Sequence, residues 1–158
     1  MTERKTFETL IKDKGWTADS SGTVYNAARQ PIGHRRKDGY VVIPHYLNNK
    51  KTATGKKRPD LILAHRFVWF YLTRTIPLVI DHKNHKPWDN SIKNLRSVST
   101  KENSWNRKEA RGYYKTPSGK FAAQIKVNGK LIYLGLFETE QEARASYLTA
   151  KRIFHIIK

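Results

Sequence analysis

An aspartate-histidine pair, Asp81-His82, closes the short apolar run Leu78-Val79-Ile80, and the stretch from this pair to Asn106 constrains the chain more than any other. The apolar run reads as the end of a strand. A loop comes next, built from Asn, Asp, Pro and Ser, residues that favour turns over helix or sheet. Leu95 and Val98 then mark a second short strand, which runs into a helix over Thr100 to Arg107. Ser99 or Thr100 supplies the N-cap, with a Glu or Asn three residues on. Strand, loop, strand and helix in this order bring Asp81 and His82 opposite a polar helix residue, Asn103 or Asn106. One carboxylate and one amide oxygen are hard ligands, suited to Mg2+ held loosely with several waters retained. A neutral imidazole beside them can take a proton from an attacking water.

Charge narrows the partners. The chain of 158 residues holds 31 Lys and Arg against 13 Asp and Glu, for a formal charge of +18. The three stretches 1–60, 61–110 and 111–158 each carry more than twice as many basic as acidic residues. An excess spread along the whole chain suits a polyanion lying along it, and nucleic acid fits better than a membrane surface. No cysteine is present, which excludes a disulfide framework and cysteine-ligated metal. No apolar run approaches the roughly 18 residues of a membrane span. The first residues lack the apolar core of a signal peptide, so a cytoplasmic protein is expected.

Residues 1–15 read as a short amphipathic helix with Phe7, Leu10 and Ile11 on one face. Two short strands around a turn come after it, Gly22 to Asn26 and Gln30 to Gly33. After the basic turn Arg35 to Gly39 comes a β-branched and aromatic strand, Tyr40 to Tyr46. Asn48 to Arg58 is a polar, lysine-rich loop or hairpin tip, either solvated or tracking phosphates. From Leu61 a strand-like start gives way to a helix ending near Thr73. His65 and Arg66 either face the site or make structural hydrogen bonds. His85 is expected to face solvent or a ligand, and Trp88 to pack the loop.

The stretch after Ala110 changes character. Strands are predicted over Arg111 to Thr116, Lys120 to Val127 and Lys130 to Phe137, with Asn128-Gly129 as a hairpin turn. Phe121, Ala123, Ile125 and Val127 alternate with Lys120, Ala122, Gln124 and Lys126, which leaves one polar, basic sheet face. Thr139-Glu140-Gln141-Glu142 is a capping-box helix start. Ala143, Tyr147, Ala150, Ile153 and Phe154 then form the apolar stripe that covers the other face.

These residues carry two family resemblances. Asp81-His82, Asn94-Leu95-Arg96, Glu102-Asn103 and Asn106 resemble the HNH nuclease motif, the ββα-metal (His-Me) finger of phage homing endonucleases. Asp81 stands 13 positions before Asn94 and 22 before Asn103, spacings that fit that family. The resemblance implies His82 as general base, Asp81 and Asn103 as ligands of one Mg2+ or Mn2+, and Asn94 bridging the loop and orienting His82 by a hydrogen bond. The variant of the family with a structural zinc on cysteine pairs is excluded, so no zinc is expected. Gly22-x-Val24-Tyr25-Asn26, Asp38-Gly39-Tyr40-Val41-Val42 and the His65-Arg66 segment also look like stretches that precede this motif in phage endonucleases.

Residues 111–154 look like the plant ethylene-response-factor (APETALA) DNA-binding domain. Arg111-Gly112, Gly119 to Ile125, Tyr133-Leu134-Gly135, Phe137 and Glu142-Ala143 carry the likeness. It implies DNA contacts from Arg111, Gln124, Lys126 and Tyr133, with Tyr114, Lys115 and Lys120 on the same strands. Tyr114, Thr116 and Ser118 stand where the plant factors have two arginines and a tryptophan, so their target sequence does not carry over.

The expected fold is α+β: an HNH core with a β-rich N-terminal segment over 1–110, and a three-stranded antiparallel sheet packed on one helix over 111–158. The expected function is site-specific, metal-dependent hydrolysis of double-stranded DNA by a monomer or weak dimer in a host bacterial cell. No membrane and no small-molecule substrate is expected. The competing reading is a DNA-binding protein on an HNH scaffold that does not cut.

Overall fold

The computed structural model describes residues 2–48, 50–106 and 110–156. The chain divides into two compact units, 1–97 and 98–158. Each is built differently.

The first unit opens on helix α1 (Glu3–Lys12), capped by Thr2, whose hydroxyl accepts from the Lys5 amide. Phe7 and Leu10, three positions apart, are its buried face. Short strands β1 (Thr17–Ala18), β2 (Val24–Tyr25) and β3 (Pro31–Ile32) form one antiparallel sheet in that order. A second sheet joins β4 (His34–Arg35), β5 (Val41–His45) and β6 (Asp60–Leu63). Arg35 therefore belongs to a strand, and the basic turn is confined to Arg36–Gly39, closed by the Gly39 amide on the Arg36 carbonyl. Between β5 and β6 the hairpin narrows to a bridge between Lys51 and Lys57.

Helix α2 (Ala64–Thr73) follows β6 directly and buries Phe67, Val68 and Phe70. It stops because Arg74 takes the left-handed conformation at φ 58°. Phe7 of α1 meets Phe67 edge-on at 5.6 Å and Phe70 at 5.5 Å, and Trp16 meets Phe67 at 6.0 Å. With Leu10, Val24 and Ile43 these rings make the core of the unit. Each such side chain taken fully out of water stabilises the fold by about 1.5–3 kcal/mol. Arg66 adds an anchor, its guanidinium gripping both Glu3 carboxylate oxygens at 2.5 and 2.6 Å. Strand β7 (Val79–His82) then pairs with β8 (Leu95–Val98) as a two-stranded sheet.

In the second unit, α3 (Thr100–Trp105) has a complete capping box between Ser99 and Glu102. Arg107, to which the sequence extends this helix, lies outside the described residues. Strands β9 (Tyr113–Lys115), β10 (Phe121–Val127) and β11 (Lys130–Phe137) form an antiparallel sheet with β10 in the middle. Helix α4 (Glu140–Phe154) starts at a second capping box, Thr139 with Glu142. The division after Ser97 falls earlier than the boundary expected at 110. α3 packs within the second unit: Trp105 stacks on His155 with centroids 4.7 Å apart, and Lys101 donates to Asn128 at 2.8 Å.

α4 covers the sheet with Ala143, Tyr147 and Ala150, all buried. Ile153 and Phe154 do not continue that stripe. They are 60% and 41% exposed, outside the cluster that Ile125, Tyr147 and Ala150 form with Ala110, Val127, Ile132 and Leu134.

Candidate active site

Asp81 and His82 are the last two residues of β7, so their side chains leave opposite faces of the strand. Both are buried. On one face, the Asp81 carboxylate receives Arg96 of β8: Oδ2 lies 2.8 Å from Nε and 2.7 Å from Nη2. On the other, the His82 ring meets two rings and an amide. His65 of α2 stands edge-on at 5.1 Å between centroids, and Tyr40 at 5.9 Å. The Asn90 Oδ1 lies 3.2 Å from Nε2.

The loop between the strands is held almost entirely by its own polar side chains. The Lys83 amide donates to the Asn94 carbonyl at 2.9 Å, extending the ladder one step past β7. Asn94 bridges the loop, its Oδ1 accepting from the Asn84 amide at 3.0 Å and its Nδ2 donating to the Asp89 carbonyl at 2.7 Å. Asp89 accepts from the Ser91 hydroxyl at 2.7 Å and from the Asn84 side-chain amide at 2.6 Å. The bond from Ser91, with others to its carboxyl, holds Asp89 below the usual carboxylate range. The hydrogen bond expected between Asn94 and His82 is made instead by the His82 ring to Asn90, whose Oδ1 accepts. The Asn94 amide is already spent on loop backbone. In the sequence Asn90 reads only as a turn residue, and nothing local in Asp89-Asn90-Ser91 announces a buried side chain.

His65 is 5% exposed, and its Nδ1 has no hydrogen-bond partner among the described residues. Burial first, then the positive charges of His82 and Arg66, push its pKa down to about 3. It is therefore an uncharged ring at neutral pH, a packing surface for His82. Arg66 points elsewhere, to Glu3 and the Pro77 carbonyl. His85 is exposed, with φ 59°. Trp88 carries the Arg35 guanidinium over its ring at 3.6 Å.

Among the described residues no three of His, Cys, Asp or Glu gather as a metal-binding group. A single carboxylate, Asp81, fits a hard cation that keeps most of its water. Asn103, the other expected ligand, lies on α3 in the second unit with its side chain exposed.

Residues 63–105 match the HNH endonuclease family. The matched segment runs from the last residue of β6 to the last residue of α3. Among solved structures, a chain described under "DNA binding and cleavage by the HNH homing endonuclease I-HmuI" matches at 26% identity. The match has a TM-score of 0.45 and covers 58% of this chain and 50% of that one. The chain thus spans about half the length of that homing endonuclease. No curated protein matches it.

In the second unit, strand register sorts the residues expected at DNA. Tyr114 and Leu136 flank Ala122, Gln124 pairs with Tyr133, and Lys126 pairs with Leu131. These lie on the sheet face opposite Ile125, whose side chain packs on α4. Tyr114, Leu131, Tyr133 and Leu136 are all exposed there. Lys115 pairs with Phe121 and so falls on the Ile125 side. Lys120 is joined to Glu138 at 2.5 Å. Arg111 is exposed, its carbonyl taken by Arg144 at 2.8 Å.

Proposed function

We propose that this protein is a site-specific endonuclease of the homing type, hydrolysing phosphodiester bonds of double-stranded DNA with one divalent cation. One observation carries the reading. Within the HNH segment a histidine at a strand end, His82, is fixed by an amide and two rings and stands next in the chain to a carboxylate, Asp81.

His82 takes a proton from a water whose oxygen forms a bond to phosphorus as the bond to the 3′-oxygen breaks. The departing 3′-oxygen is protonated from solvent. Asp81, with Asn103 as the second ligand that the family resemblance implies, would hold Mg2+ or Mn2+, which when bound supplies positive charge for the phosphoryl and leaving oxygens. Asn94 keeps the loop closed behind the strand ends. The second unit, with its resemblance to the ethylene-response-factor (APETALA) domain, serves as the reader. In this reading Gln124, Lys126, Tyr114 and Tyr133, which share its outer sheet face, would meet base edges and phosphates. The protein acts as a monomer or weak dimer in the cytoplasm of a phage-infected bacterium.

The deciding experiment is a time course on supercoiled plasmid carrying phage or host genome fragments, with Mg2+ and then with EDTA. Nicked or linear product from the wild type, absent with EDTA and absent for His82→Ala, is expected. Cutting by the metal-free protein would remove the metal from the mechanism. Gel shifts by both proteins with cutting by neither would make it a non-catalytic DNA-binding protein.

A further inference from the structure

We propose that Asn90 is the positioning residue for His82, fixing the ring as the tautomer with its proton on Nε2, and that the turn at Gly22 holds Asn90 in place. The proposal rests on the nuclease reading for its meaning, but not for its test.

Asn90 is 4% exposed. A buried primary amide costs stability unless its polar atoms are met, and Oδ1 is met by His82 Nε2 at 3.2 Å. An amide oxygen only accepts. The nitrogen facing it must carry hydrogen, so in the neutral ring the lone pair sits on Nδ1. That assigns the proton-accepting atom of His82. The same bond survives when the ring gains its second proton, since Nε2 donates in both states. The ring therefore keeps one orientation through proton uptake and release.

What holds Asn90 comes from far away in the chain. A Cβ on Gly22 would stand 2.3 Å from the Asn90 carbonyl carbon, 2.5 Å from its oxygen and 2.6 Å from the Ser91 nitrogen. The backbone of the turn thus lies directly against the peptide joining Asn90 to Ser91, at a φ of +93° that glycine adopts without strain. Next to it the Ile92 amide donates to the Ser20 carbonyl at 3.1 Å. The turn is itself rigid. Asp19 accepts from the Ser21 amide at 2.9 Å, the Ser21 hydroxyl at 2.6 Å, the Thr23 amide at 3.1 Å and the Tyr25 hydroxyl at 2.8 Å. The small β1–β2–β3 sheet, remote in sequence from the motif, thereby braces the general base.

The test is nitrogen-15 NMR of histidine-labelled full-length protein at about pH 9, where a solvent-exposed imidazole is neutral. The His82 signals are identified by their absence from His82→Ala. The wild type should show the Nε2–H pattern. Asn90→Ala should lose it to a tautomer mixture, and Asn90→Asp, which keeps an accepting oxygen, should retain it. In single-turnover cleavage Asn90→Ala should be about 10–100-fold slower at unchanged DNA affinity, the range expected when a histidine loses its orienting partner, with much of the rate restored in Asn90→Asp. An Nδ1–H tautomer in the wild type, or an unaltered pattern in Asn90→Ala, overturns the proposal. If the tautomers behave as expected and no variant cuts DNA, the positioning role stands and the nuclease reading fails.

Discussion

The rings of His65 and His82 stand nearly perpendicular, 78° between planes and 5.1 Å between centroids. One of the two, His65, is held uncharged by its surroundings, with a pKa of about 3. A proton added there is added against the His82 ring, within the field of the Arg66 guanidinium, and away from water.

The stability of the first unit should therefore fall on mild acidification. The unfolded chain takes up a proton at His65 near pH 6.5, whereas the folded chain resists it down to about pH 3. Stability is complete above the unfolded value and drains away as pH falls through that window. The loss at pH 5 should be about 2 kcal/mol from this residue. Denaturant midpoints at pH 7 and pH 5 should separate in the wild type and draw together in His65→Leu. Equal separation in both proteins would assign the acid sensitivity to other groups.

Arg96→Ala removes the guanidinium that spans from β8 to the Asp81 carboxylate. The expected cost is about 2 kcal/mol, the usual size for a lost hydrogen bond to a charged group. Arg96→Lys should recover only part of it, because an ammonium lacks the planar fork. Urea unfolding of the three proteins measures this.

Gly112→Ala should destabilise the second unit severely. The added methyl would meet the Tyr147 ring at 2.0 Å, and the backbone there sits at φ +75°. Overpacking of this kind costs about 3 kcal/mol. Gly119→Ala is the matched control, since it has positive φ with nothing within 4 Å of the new methyl. Thermal unfolding should leave the second variant much closer to wild type.

DNA binding should depend unequally on the lysines of the sheet. Lys126 lies on the outer face with Gln124 and Tyr133, so Lys126→Ala should reduce the slope of log affinity against log salt by about 1. Lys120, committed to Glu138, should contribute far less. Titrations over a range of salt separate the two, and equal slopes for both variants would refute the face assignment.

The elements with local signals are the legible ones. Ser99 with Glu102 and Thr139 with Glu142 each announce a helix start within four residues, and both form complete capping boxes. The Asn128-Gly129 turn between β10 and β11 and the passage from β6 to α2 are equally local. What escapes a sequence reading depends on distant partners. Asn90 is buried because a turn some seventy positions earlier presses on its backbone, and no window around Asp89-Asn90-Ser91 contains that information. Thr17–Ala18 is a strand only because Val24–Tyr25 pairs with it. Ile153 and Phe154 keep the helical period, but periodicity states which side of α4 they occupy and not how far the sheet beneath extends.

The packing of α3 within the second unit bears on how such a chain could exchange its proposed reader for another. The segment that matches the HNH family ends on α3, while α3 itself is tied to the C-terminal sheet and helix through Trp105 on His155 and Lys101 on Asn128. A recombination joint after Ser97 would import a foreign helix in place of the one that carries Asn103. A joint after Asn106 would keep that helix and strand its two anchors against a new neighbour. Under the proposed function, retargeting by swapping modules demands matching changes at Trp105 and Lys101, and drift of the proposed reading residues Gln124 and Tyr133 is the less disruptive route to a new sequence preference.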